Sequence, residues 1–434
     1  MVLRPRGGQH AVGFRFVKMA SLAHPRGRCG DRIGEAETLL VQPKVLLVTE
    51  GAIDVTHGTG VQLSRIFGTY QPSRILHVLP EGLGRGPFDC VEVAKASELR
   101  VRSWNRFSQR FLGRAVRWTP RFIPSSIEPS VSRFNPDLVL GAVYTNSGLR
   151  LMKAVLEIAR ASCAILWFQD LQLVADSDGS VPELQQILSD LNEIWTLSPL
   201  MSEWLEGAVG GWPSHLRTRV QPHWCVPAFD QYHRANRSYS PTFRCIMLGN
   251  IWDHRMISVT RQLWRECQDQ IPGLAPVQWF CNESGVRRII SQGIEFKPEI
   301  EWLGEVVENR LHETLLNADL AIIPVGTNAN TDYARFSVPS KIGDLAAIGV
   351  PMVVIAGSRT ATARHVTEYD VSELLTELTQ NGWSMRVCEI IRGVDERARL
   401  STAALQYADQ YLSQNKFRNQ ILEDLRRAAF GDEE

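Results

Sequence analysis

The chain carries no excess of charge of either sign: 47 Lys and Arg balance 47 Asp and Glu. It therefore has no overall basic field to draw it onto nucleic acid. It also lacks any C-x-x-C pair. Its eight cysteines, at 29, 90, 163, 225, 245, 267, 281 and 388, are scattered, several inside apolar runs such as 162–168 and 244–248. That pattern suits buried thiols in a reducing cytosol better than disulfides or a zinc site. No apolar run approaches the roughly 20 residues needed to span a bilayer. The first forty residues hold seven Arg or Lys against three acids, without a continuous apolar core of the signal-peptide kind. Residues 1–42 read as a disordered extension without catalytic role, and Met19 within them is an alternative start. Short-period repeats and low-complexity tracts are absent. What remains is ordinary globular material, 434 residues at 44% hydrophobic and 22% charged content, with room for two or three domains.

From residue 43 onward, apolar runs of strand length alternate with helical patterns. Strands are expected at 44–49, 74–79, 136–140, 164–168 and 193–197, with helices ending near 70, over 149–161 and 183–191, and from Pro199. An irregular, Pro-containing stretch at 221–241 precedes a second set. There, strands are expected at 243–248, 276–281, 300–303, 320–325 and 351–355, with a helix at 257–268 and helical texture over 405–430. Such alternation implies right-handed βαβ units and parallel sheets. The fold class is α/β, with two doubly wound, Rossmann-like domains at 43–235 and 236–434. Ligands are expected at the carboxyl ends of the strands, in the cleft between the halves.

The stretch 319–357 is the most informative. Two apolar runs flank a polar loop and a short helix. Pro339 suits the first helical position and Gly349 the left-handed position after the last. Ile342, Leu345, Ala346 and Gly349 fall on one face at i, i+3, i+4 and i+7. Near the helix entrance, the amides of Ser340 and Lys341, the helix dipole and the Lys341 ammonium converge on a spot suited to an anion such as a diphosphate. Asp344, one turn deeper, is placed to accept hydrogen bonds from sugar hydroxyls. The bland alternative is a buried crossover with an exposed Lys–Asp pair.

Pro339-Ser340-Lys341-x-x-Asp344, then a small-residue turn, Gly349-x-Pro351 and a β-branched strand, resembles the donor-binding segment of two-domain glycosyltransferases. These have the GT-B architecture, and the pattern is that of family 4, the group 1 transferases. Residues 194–198 with Trp204-Leu205, 220–228 and 246–249 resemble the family's late strand, interdomain passage and donor-domain opening. The resemblance implies transfer of a hexosyl-type sugar, with retention favoured, from a nucleotide-diphosphate donor to an acceptor hydroxyl. It implies Gly58, Gly60, Gly249, Asn250, Asn328, Asp332, Ser340, Lys341 and Asp344 around the donor. Lys341 and Arg255 would stabilise the leaving diphosphate. The chain departs from the pattern at four places. Arg255 stands for the Lys that the family has a few residues after Gly249, its alternative being a surface arginine. Asp344 stands where the family has Glu, and Asn250 stands where it has Arg. Phe336 stands eight residues before Asp344, where the family has a second acid. Asn328, Asn330 or Asp332 is then the substitute for that acid.

Other constellations carry two readings each. Gly58-Thr59-Gly60 allows close backbone approach, but Leu63 occupies the third glycine position of a dinucleotide fingerprint. Glu81 nevertheless sits where a ribose-binding acid would, which keeps an NAD-dependent oxidoreductase as a distant alternative. A sugar-nucleotide epimerase and an inactive GT-B scaffold are the nearer ones. His57 is a cleft contributor or a turn residue. Asp170, just past a strand, is an acceptor-orienting base or a cap for the next turn. Asp176-Ser177-Asp178 matches a metal-binding D-x-D, but its Gly and Pro neighbours favour a polar turn, so no metal or other cofactor is expected. Arg102, Arg106, Arg110, Arg114, Arg117 and Arg121 recur at helical spacing with Trp104, Phe107, Phe111 and Trp118 interleaved. A basic helix of this kind suits an anionic membrane surface or a lipid-linked acceptor; its alternative is a solvated face. The expected protein is cytoplasmic and peripheral at the inner face of the membrane. Its partners would be a nucleotide-sugar and a sugar or lipid-linked polysaccharide precursor, with no nucleic acid.

Overall fold

The structure is a computed structural model. It describes residues 42–51, 53, 58–82, 87–101, 116–173, 175–222, 224, 226, 243–251, 254–306, 308–326, 335–376, 380–412 and 414–431. The extension through residue 41, the division near 235, and His57, Asn328, Asn330, Asp332, Arg102, Arg106, Arg110 and Arg114 lie outside the described residues.

Runs rich in Val, Ile and Leu form the strands of the first half. These are β1 (Val45–Thr49), β2 (Ile75–Pro80), β3 (Asp89–Val93), β6 (Leu138–Val143), β7 (Cys163–Phe168), β8 (Glu193–Thr196) and β9 (Arg217–Val220). They pair in the order β3-β2-β1-β6-β7-β8-β9, all parallel. The central strands are buried along their whole length, as a sheet covered on both faces requires. Alternate side chains part to opposite layers: Leu46, Val48, Leu166 and Phe168 to one core, Val45, Leu47, Ile165 and Trp167 to the other.

Between β3 and β6, β4 (Lys95–Val101) and β5 (Val116–Phe122) form a separate antiparallel pair. At Arg117 and Arg121 this corrects the helical reading of the arginine run. Arg117 and Arg121 lie on a strand, paired with Arg100 and Ala96. Alternation of apolar or aromatic residues with Arg and Thr in residues 116–119 suits a strand, a period hidden by the four-residue recurrence of Arg.

The second half carries β10 (Cys245–Leu248), β11 (Val277–Phe280), β12 (Ile300–Gly304), β13 (Leu320–Gly326), β14 (Met352–Ala356) and β15 (Glu373–Leu375). Their order is β12-β11-β10-β13-β14-β15, again parallel throughout. The donor-segment helix runs Lys341–Ile348 and ends on Gly349 at φ 74. Ser340 is its cap, so Pro339 lies just outside the helix rather than at its first position. The last helix, Gln414–Phe430, crosses back. Phe417, Ile421 and Leu425 are buried with Val45, Leu47 and Leu63 in the first half's core, although a division by sequence order assigns this helix to the second half.

Candidate active site

A cavity of about 710 Å³ opens at the carboxyl ends of β1, β6 and β7 on one wall and of β10, β11 and β12 on the other. Both walls therefore present loop backbone and strand-end side chains, where parallel α/β sheets bind ligands.

On the second wall, Gly249, Asn250, Ser340, Lys341 and Asp344 line the cavity together, as expected. The Lys341 ammonium donates to the Leu248 carbonyl at 2.5 Å. Gly249 sits at φ 70, the left-handed region that favours glycine, and a Cβ there would only make ordinary contact with Nζ at 3.5 Å. Burial pulls the Lys341 pKa down to about 8, because a desolvated ammonium without a counter-charge is costly. Asn250 turns its Oδ1 towards the helix Glu283–Ser291, where a Cβ on Gly285 would overlap it. That oxygen is buried, and no described group hydrogen-bonds it. Asp344 accepts from Arg65 Nη1 at 2.8 Å, an ion pair that joins the two halves, although Arg65 itself does not line the cavity.

The first wall holds acids that share one environment. Glu50 follows β1 and accepts from the amides of Tyr144 (2.7 Å) and Thr145 (3.0 Å) and from the Thr145 hydroxyl. It thereby lies against the first turn of the helix Asn146–Leu156, where a Cβ on Gly148 would overlap its carboxyl carbon. Burial pushes the Glu50 carboxyl pKa up, while these hydrogen bonds hold it down. Asp170 lines the cavity too, and its Oδ1 accepts from Ser337 Oγ at 2.8 Å and Leu171 N at 2.7 Å. Burial raises its pKa against those bonds. Asp170 therefore faces the cavity while its carboxylate caps the following turn. Tyr144 lies between the two acids in influence, its phenol pushed up by burial and then by Glu50 and Asp170. Gln169 is 5% exposed and lines the cavity, yet no described group hydrogen-bonds its Oε1 or Nε2.

Some expected residues stand elsewhere. Arg255 opens the helix Arg255–Gln270, is exposed, and does not line the cavity. Of the glycine pair, Gly60 lines the cavity. Glu81 follows β2, is exposed in a turn and does not line the cavity. Asp176 and Asp178 form a polar turn, with Asp178 accepting from Ser180 N at 3.0 Å and Ser180 Oγ at 2.7 Å. Among the described residues, no group of three or more His, Cys, Asp or Glu could hold a metal.

Phe336 accounts for the missing acid. It is wholly buried in the first half's core, with its ring 5.4 Å from that of Trp204 and its carbonyl accepting from Ser198 Oγ at 2.8 Å. The position is an apolar contact between halves, with the Arg335 guanidinium 4.8 Å from the ring centre. Sequence reasoning missed Glu50, Tyr144, Gln169, Ser337 and Arg65. The first three directly follow strands, and strand-end position alone could have singled them out.

No known family profile matches this chain, and no curated protein sequence matches it. Solved structures do. The chain is similar to Anabaena HepE (Alr3699), solved in complex with UDP and glucose, at 13% identity and TM-score 0.57, covering 88% of this chain and 99% of that one. Sucrose-phosphate synthase from Thermosynechococcus elongatus gives 12% identity and TM-score 0.61, covering 89% and 99%. WaaG, a glycosyltransferase involved in lipopolysaccharide biosynthesis, gives 9% and 0.55, covering 88% and 99%. These likenesses establish the fold: two Rossmann-like halves in the GT-B arrangement.

Proposed function

We propose that this protein is a glycosyltransferase that moves a sugar from a nucleoside diphosphate donor to an acceptor hydroxyl. One observation carries the reading: the Lys341 ammonium is lodged beside Gly249 at the entrance of the helix Lys341–Ile348, facing the interdomain cavity. A fixed cation and helix amides in a desolvated cleft stabilise charge that builds on a departing diphosphate. The HepE complex with UDP and glucose, on the same fold, supports a nucleotide-sugar in such a cleft. In the reaction, the acceptor oxygen bonds the anomeric carbon as its bond to the β-phosphate oxygen breaks. The diphosphate leaves with the electron pair. Asn250, Ser340 and Asp344 are the further donor contacts on this wall, with Asp344 serving ribose hydroxyls.

Retention follows from the family resemblance, with the acceptor proton passing to the departing phosphate oxygen. The raised Asp170 pKa favours a second course, inversion with Asp170 as base. The anomeric configuration of the product, read by NMR, separates them. A lipid-linked acceptor and contact with an anionic membrane surface belong to the same proposal. Their support is the density of Arg and aromatic residues over 102–121. No helix among the described residues is long and apolar enough to cross a membrane.

A thermal-shift screen against UDP-, GDP- and ADP-sugars and NAD tests the function. Stabilisation by one nucleotide-sugar class, followed by release of its diphosphate with an acceptor present, is expected. Stabilisation by NAD alone would overturn the reading, and an altered sugar still joined to its nucleotide would mark an epimerase.

A further inference from the structure

We propose that Arg65 is a positioning residue for the donor's ribose, holding the Asp344 carboxylate from the first half of the chain; the proposal rests on the transferase reading above. Arg65 lies on the helix Gly58–Phe67 of the first half, and Asp344 lies on the helix Lys341–Ile348 of the second. Their Nη1–Oδ1 distance is 2.8 Å across 279 residues of sequence. The two side chains are only 8% and 17% exposed, so solvent screening does not dissolve the pair as it would at a surface. Aspartate carries its carboxylate on a single methylene and swings freely unless a partner fixes it. A guanidinium supplies a directional, charge-assisted hydrogen bond that does so. Because a carboxylate has about four acceptor positions, bonds to protein groups do not exhaust it. Asp344 lines the cavity at the same time, so ribose hydroxyls would meet a carboxylate already oriented. The consequence is that a first-half residue contributes to donor affinity. Nucleoside recognition then depends on the two walls being apposed, whereas the diphosphate subsite at Lys341 does not.

The test is titration calorimetry of the full chain with whichever of UDP, GDP and ADP binds the parent, and separately with inorganic pyrophosphate. Arg65→Met should weaken the nucleoside diphosphate about tenfold while leaving pyrophosphate within about twofold, since the partner carboxylate loses its orientation and its counter-charge. Arg65→Lys, which keeps the charge but not the fork, should recover part of the loss. Arg65→Gln, neutral and of similar length, is read in the same way as Arg65→Met should the latter fail to fold. Adding Asp344→Asn to Arg65→Met should cost little more, because the two side chains act as a unit. Arg65 variants that bind the nucleoside diphosphate like the parent would overturn the inference. So would variants that lose pyrophosphate equally, which marks general damage to the cleft. A parent that binds none of the three nucleotides would instead overturn the transferase reading, and this inference with it.

Discussion

Lys341 concentrates the chemistry of the cleft in a single titration. Its ammonium is held at about pKa 8 by desolvation, against an ordinary value near 10.5. A diphosphate needs the charged form, so nucleoside diphosphate affinity should be highest below pH 8 and decline as pH rises through it. Calorimetry between pH 6.5 and 9.5 checks this, and Lys341→Ala should remove the slope along with about 1.5–3 kcal/mol of binding at neutral pH. A parent affinity that stays flat through pH 8 would remove Lys341 from the diphosphate. Stability should move the other way. Between pH 8 and 10.5 the unfolded chain binds more protons at this residue than the folded one. Its contribution to stability therefore rises with pH across that window, and the desolvation cost is fully present below it.

At the scale of the element, the donor-segment helix depends on how it ends. Gly349 holds φ 74, and a Cβ there would stand 2.7 Å from Leu405 Cγ. Gly210 ends the helix Pro199–Val209 at φ 83, with nothing within 4 Å of an added Cβ. Gly210→Ala should therefore cost about 1 kcal/mol from left-handed strain alone. Gly349→Ala adds a packing clash and should cost roughly 2–4 kcal/mol by urea unfolding. Equal losses at the two sites would show that Leu405 yields without cost. The Gly349 ending was legible in the sequence because a glycine directly after an apolar helical face supplies the left-handed residue that closes the helix. So were β1, β7, β13 and β14, whose apolar runs are buried from end to end. β3, β9 and β15 were not, because they carry Asp89, Glu92, Arg217, Arg219 and Glu373 and lie at the sheet edges. These edge strands are half solvated and charged, so no apolar run announces them, whereas the edge strand β12 keeps Ile300, Trp302 and Leu303 and was legible. Lys341, Gly249, Asn250 and Asp344 were legible as a local motif, whereas the Arg65–Asp344 pair has no local signature at all.

At the scale of the whole molecule, the segment containing Phe336 works as a joint rather than a ligand contact. Its ring belongs to the first half's core, and the next residue faces both ways. Ser337 Oγ donates to Asp170 in the first half, while its carbonyl accepts from Thr362 Oγ1 in the second, both at 2.8 Å. The sequence spacing alone suggests that a carboxylate at 336 would complete the site. The packing predicts the reverse, because Phe336→Glu would place a charge in an apolar core against Trp204, a cost that the exposed Arg335 guanidinium, 4.8 Å from the Phe336 ring centre, offsets only in part. Phe336→Ala should cost about 3–5 kcal/mol through the cavity it leaves, while Phe336→Leu should cost less than about 2. Phe336→Glu should cost at least as much as Ala and bind nucleoside diphosphate more weakly than the parent, since the Ser337–Asp170 contact moves with the joint. Denaturant unfolding and calorimetry on the three variants measure both effects. A Phe336→Glu protein that keeps its stability and gains donor affinity would mean that the ring is a replaceable plug over a sugar contact, and that the two halves are joined elsewhere.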